Sequence, residues 1–162
     1  QGTTIGPIQN QMQFDKVRAL IEDARGRGTI LAGGHALDRP GYFIPPTIVR
    51  DLDDSAPLVS EEQFGPVLPV LQYTDIDDVI ARANDSDYGL GGTVWGKDVA
   101  RATAVAMRID SGTVWVPQFL AIDPNIPFRG VKQSGLGAEL GEAGLLEYTQ
   151  AHIVNVVTLE DA

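Results

Sequence analysis

Three times along this chain a β-prone run hands over to a segment of helical periodicity, and that alternation is the tightest constraint on its fold. From Gln11 to Gly28, Phe14, Val17, Ile21 and Ala24 fall on one helical face, with Lys16, Arg18, Glu22 and Asp23 elsewhere. Gly28 stands where that helix should stop, and Thr29 to Ala32 reads as a short buried strand closed by Gly33-Gly34. Val67 to Tyr73 is the next strand. Thr74 or Asp75 then caps a helix whose Ile76, Val79, Ile80 and Ala83 share a face. Leu90 to Trp95 forms a further strand, Asp98 caps a third helix with Val99, Ala102, Ala106 and Ile109 inward, and Thr113 to Val116 follows as a strand. Such alternation generates βαβ crossovers, so an α/β fold is expected, with a mostly parallel sheet and helices on its faces.

Other segments fit this frame less regularly. Tyr42 to Val49 is extended, and Pro45 and Pro46 within it argue for an edge or crossing strand, because proline cannot donate to a ladder. Past Pro117 lies an irregular stretch to Pro127, then a Gly-rich run from Phe128 to Gly137. A short helix over Ala138 to Thr149 and a β-prone C-terminal tail, His152 to Leu159, end the pattern. The expected organisation is a tag remnant at residues 1–2, one domain over 3–150, and a strand-forming tail over 151–162.

The 162 residues carry 12 basic against 22 acidic side chains, a net charge of −10 with no Lys/Arg cluster, so a nucleic-acid or anionic-membrane surface is not expected. No apolar run approaches the length of a membrane span, and the chain reads as soluble and cytoplasmic. There is no cysteine, which removes disulfides, thiolate metal sites and a thiol nucleophile from these residues. The Gly-rich run lacks the G-x-x-x-x-G-K-[ST] order of a P-loop and the G-x-G-x-x-G spacing of a dinucleotide turn, which leaves a tight structural loop or an anion nest. Ser134 has no nucleophile elbow around it, and only His35 and His152 could serve as a base. Two separated histidines and scattered carboxylates make no recognisable metal-ligand spacing.

The stretch Glu61-Glu62-Gln63-Phe64-Gly65-Pro66 sets two carboxylates and an aromatic residue just before a turn and an apolar strand. By composition alone it could be solvated surface. However, five segments, "GYFIPPTIV" (Gly41 to Val49), "SEEQFGPVLPV" (Ser60 to Val70), "ANDSDYGLGGTVW" (Ala83 to Trp95), "SGTVWV" (Ser111 to Val116) and "IPFRGVKQSGLGAELGEAGLLEYT" (Ile126 to Thr149), resemble in content and order the C-terminal part of the NAD(P)-dependent aldehyde dehydrogenases. The resemblance runs from about Gly6 to the end of the chain. It implies a portion of a catalytic domain plus an oligomerisation strand, from an enzyme that oxidises an aldehyde to a carboxylic acid with NAD or NADP.

By motif position, Glu62 resembles the glutamate that accepts hydrogen bonds from the nicotinamide ribose, and Phe64 the aromatic residue beside the nicotinamide. Phe119, Leu120 and Phe128 resemble walls of the aldehyde entrance, and an ordinary connecting loop is the plainer alternative for that stretch. The resemblance implies a nucleophilic cysteine, its base and a Rossmann segment upstream of Gly6, and a dimer or tetramer formed through the tail. It also marks departures: Pro117 where Asn is usual, Arg129 for a second Gly, Ala138 for Arg and His152 for Lys. A non-catalytic assembly module is the alternative function.

Overall fold

A computed structural model describes residues 5–158. Its chain divides into two compact units, one up to Ile76 and the other from Asp77 onward. Helix α1 (Gln11–Arg27) opens the first unit, and the Asn10 side chain accepts from the Gln13 backbone N–H at its start. Its buried face is Val17, Leu20, Ile21 and Ala24, the spacing that brings side chains onto one side of a helix. The helix ends at Gly28 without left-handed backbone. A Cβ there would lie 2.5 Å from the Arg50 carbonyl oxygen, so glycine is needed for close approach rather than for an unusual φ.

Strands β1 (Thr29–Ala32), β2 (Thr47–Arg50) and β3 (Val67–Val70) form one sheet in that order, with α2 (Pro57–Ser60) before β3. The β1–β2 pair is antiparallel and the β2–β3 pair parallel. β2 is therefore the central strand, contrary to the edge or crossing position expected for Tyr42 to Val49. Pro45 and Pro46 lie just ahead of the first paired residue, so they remove no hydrogen bond from the ladder. Pro69 does sit within a strand, and that strand is at the edge.

The core of this unit packs Val49 and Val67 with Leu58, Ala56 and the apolar face of α1. Thr47 is the one buried polar residue among those described. Its hydroxyl donates to the Pro45 carbonyl and accepts from the Gly34 N–H, so burial leaves it satisfied. Contrary to expectation, β1 is largely exposed, because it lies at the other edge of the sheet. Ile48, Leu68 and Val70 also remain exposed.

The second unit is described with α3 (Ile76–Asn84), whose first turn carries Asp77 and Asp78 and whose last carries Arg82, as the helix dipole favours. β4 (Tyr88–Gly89) precedes β5 (Gly91–Thr93), α4 (Val99–Ala106) and β6 (Thr113–Trp115). β5 and β6 pair in parallel across α4, giving one βαβ crossover. Asp98 caps α4 by accepting from the Arg101 N–H, but Val99 is exposed and Ala102 is the helix's one buried residue. The Gly-rich run forms β7 (Phe128–Arg129) and β8 (Val131–Lys132), which pair antiparallel with β9 (Ala138–Glu139) and β4 respectively. The helix expected from Ala138 begins only at Gly141, as α5 (Gly141–Leu146), because Ala138 and Glu139 are taken up in β9.

The fold is α/β, but its sheets are small and mixed rather than one mostly parallel sheet. β1 reaches β2 through residues 33–46 without a helix, so the chain reverses and the pair is antiparallel. No strand is formed over residues 151–158, and Ile153, Val154, Val156 and Val157 are strongly exposed. An alternating apolar pattern becomes a strand only when another edge pairs with it, and none of the described residues does so. Leu159, the last residue of the expected tail strand, lies outside the described residues. No helix among those residues is long and apolar enough to cross a membrane.

Candidate functional site

Residues 61–66 connect α2 to β3, and α1 holds their backbone. The Gln13 amide donates to the carbonyls of Gln63 (2.5 Å) and Phe64 (3.1 Å), and the Lys16 ammonium donates to the Glu62 carbonyl (2.7 Å). Gln63 turns its own amide onto the Val67 carbonyl, while the Pro66 carbonyl accepts from the Thr47 N–H. Gly65 presses so closely on α1 that a Cβ would lie 2.4 Å from Val17 Cγ2. The first turns of α1, through Gln13 and Val17 on its buried face and Lys16 at the margin, are thus a support for this loop, a role its sequence pattern did not reveal.

These contacts use main-chain atoms and leave the side chains of Glu62 and Phe64 available. The Glu62 carboxylate has no hydrogen-bond partner among the described residues and is partly exposed. Phe64 is 78% exposed and has φ 43°, a left-handed backbone disfavoured for a bulky side chain by on the order of 1–3 kcal/mol. An open cleft of about 640 Å³ adjoins the ring, lined by Ile8, Met12, Gln13, Phe64, Gly65 and Pro66. A free carboxylate offers acceptors to paired hydroxyls, and a bare aromatic face offers an apolar wall to a flat ring.

The residues expected at the aldehyde entrance belong to the second unit. Trp115 organises them: its ring stacks on Phe128 at 6.1 Å between centroids, and its indole N–H donates to the Ala121 carbonyl at 2.9 Å. The Thr93 hydroxyl holds the Gln118 carbonyl at 2.6 Å. Between those anchors Phe119 and Leu120 project outward, 71% and 54% exposed, and Leu120 has φ 49°. Phe128 also lines a cleft of about 420 Å³ with Leu90, Arg129, Ser134 and Tyr148. Arg129 stands in an extended strand opposite Ala138, so the arginine there requires no left-handed backbone. Trp115 was read only as part of a strand; its indole gives no periodic signal of the loop it anchors.

His35 and His152 are exposed and lie in different units. Among the described residues, no group of three or more His, Cys, Asp or Glu could hold a metal ion. The resolved acid–base perturbation is at Asp53, whose carboxyl is held below the usual aspartate range by hydrogen bonds from the Ser55 hydroxyl and N–H.

The sequence model of the aldehyde dehydrogenase family matches residues 1–154. Human retinaldehyde dehydrogenase 3 is 43% identical over 155 residues, covering 95% of this chain and 30% of that protein. Betaine aldehyde dehydrogenase of Brucella anthropi is 42% identical, with coverage of 96% and 33%. Among solved structures, the NAD+ complex of an aldehyde dehydrogenase from Bacillus cereus superposes with a TM-score of 0.86 at 39% identity, over 91% of this chain and 30% of that one. The chain thus spans about a third of the length of these relatives. With the match extending over nearly all of its sequence, this chain belongs to the aldehyde dehydrogenase family.

Proposed function

We propose that this chain is the C-terminal portion of an enzyme that oxidises an aldehyde to a carboxylic acid with NAD or NADP. In this reading Glu62 and Phe64 form its contact with the nicotinamide half of the cofactor. The observation that carries it is the loop itself: α1 fixes its carbonyls, while an unpaired carboxylate and an exposed aromatic ring on a left-handed backbone are left available. That pair of side chains fits the group, because two carboxylate oxygens can accept from a ribose diol while the ring covers one face of the nicotinamide. When bound, the nicotinamide supplies a hydride acceptor. Phe64 excludes water from that side, Glu62 orients the ribose, and Gln13 and Lys16 keep both from drifting.

Phe119, Leu120 and Phe128 are proposed as walls of the aldehyde's path, supported by the outward projection of the first two and the stacking of the third on Trp115. The chain has no thiol, and in this reading the nucleophile is supplied by residues beyond these 162. The apolar residues between 153 and 157 suit a strand added to another subunit, which supports a dimer or tetramer. A cytoplasmic location belongs to the same proposal.

The test is aldehyde-dependent NADH or NADPH formation by the complete enzyme, with and without Glu62→Ala. Losing hydrogen bonds to a charged acceptor is expected to raise the KM for the nucleotide roughly 10- to 100-fold. An unaltered nucleotide KM would remove Glu62 from the cofactor site. The isolated chain is expected to show no turnover, and aldehyde oxidation by it alone would overturn the assignment of the nucleophile elsewhere.

A further inference from the structure

Lys132 lies on β8 with φ 55°, a left-handed backbone that suits Gly or Asn better than a long side chain. Its ammonium is turned inward, with the side chain only 22% exposed. It donates to the Asn84 carbonyl at 2.8 Å and pairs with an Asp110 carboxylate oxygen at 3.0 Å. Asn84 is the last residue of α3, and its side chain closes the turn that leaves α4. Its Nδ2 donates to the Arg108 carbonyl and its Oδ1 accepts from the Asp110 N–H, both at 2.8 Å. One cation therefore joins the end of α3, the α4–β6 connection and the Gly-rich run.

This arrangement differs from the ion pairs along α1, such as Arg27 with Asp23, which link neighbours on one helix and constrain nothing distant. Lys132 reaches a backbone carbonyl 48 positions away. Beside it, the Gln133 N–H donates to the Asp87 carbonyl (2.9 Å) and the Gly89 N–H to the Ser134 hydroxyl (3.0 Å). The run is thus pinned at 132–134, and the same run begins with Phe128 stacked on Trp115.

We infer that Lys132 is a positioning residue: its ammonium tether holds the Gly-rich run in a disfavoured conformation and thereby sets where Phe128 stands in the aldehyde's path. The inference rests on the proposed role of Phe128. Removing the ammonium lets the run relax, and a displaced wall is felt most by an aldehyde large enough to touch it.

In the complete enzyme, Lys132→Met is expected to raise the KM for benzaldehyde about tenfold, with that for acetaldehyde rising less than about twofold and the nucleotide KM following acetaldehyde. Lys132→Arg should restore most of the loss. Lys132→Gly should not, because it relieves the backbone but supplies no cation. Asp110→Asn, which keeps the shape and removes the charge partner, should reproduce the same split if Lys132→Met fails to fold. Equal KM changes for both aldehydes, or none, would overturn the inference. A wild-type enzyme silent toward aldehydes would instead overturn the reading of the site. Amide exchange at residues 128–134 would then decide the tether: faster exchange in Lys132→Met supports it and equal exchange removes it.

Discussion

Phe64 has a backbone its side chain disfavours and a ring that gains little from burial. Asparagine tolerates left-handed φ, so Phe64→Asn is expected to stabilise the fold by ~1 kcal/mol in urea unfolding while weakening nucleotide binding. If stability falls instead, the ring makes contacts that its exposure conceals. The neighbouring Gly65→Ala should act in the opposite direction. Its Cβ would collide with Val17, and overpacking of this kind costs about 1–3 kcal/mol.

Asp53 offers a pH-dependent test at the same scale. Its folded carboxyl titrates below the unfolded one because Ser55 donates to it twice. The associated stabilisation is present above the unfolded aspartate range and disappears as pH falls through the folded value. Ser55→Ala should therefore raise the Asp53 midpoint in an NMR titration, and should lower thermal stability near neutrality more than in strong acid. An unmoved midpoint would show that the Ser55 hydroxyl is not the cause.

Among the elements, α1 has two jobs: Val17, Leu20, Ile21 and Ala24 build the core, while Gln13, one turn before Val17 on the same face, and Lys16 at its margin hold the loop. Asn10→Ala should destabilise the helix start by about 1 kcal/mol, and Ile21→Ala the unit by about 2–5 kcal/mol. Circular dichroism melts of the two variants test the ordering, and a larger loss for Asn10→Ala would contradict it. Helices α1 and α4 were legible in the sequence because periodicity and caps act within a few residues, as in the apolar face of α1 and at Asp98. Strand partners were not, because pairing is decided by distant segments. Pro45-Pro46 pointed to an edge although β2 is central, and the Gly-rich run concealed two short strands between Phe128 and Lys132. Glu62 and Phe64 are proposed from motif position, whereas Gln13, Trp115 and Lys132 act through carbonyl contacts that no sequence spacing announces.

For the whole molecule, the exposed apolar residues Ile153, Val154, Val156 and Val157 are a surface that association can cover. Replacing Val154 and Val156 by lysine is expected to shift the complete enzyme toward smaller species in light scattering. An unchanged mass would take this segment out of the subunit contact.

The grip on the 61–66 loop has a consequence for how such a protein can change. Gln13 and Lys16 hold carbonyl oxygens, which every amino acid carries, so their hydrogen bonds make no demand on the side chains at 62 and 64, and residue 64 is constrained instead by its left-handed backbone. Shape and chemistry are therefore inherited separately in this loop: its scaffold works as a socket, and new fittings can be tried in it without rebuilding the mount.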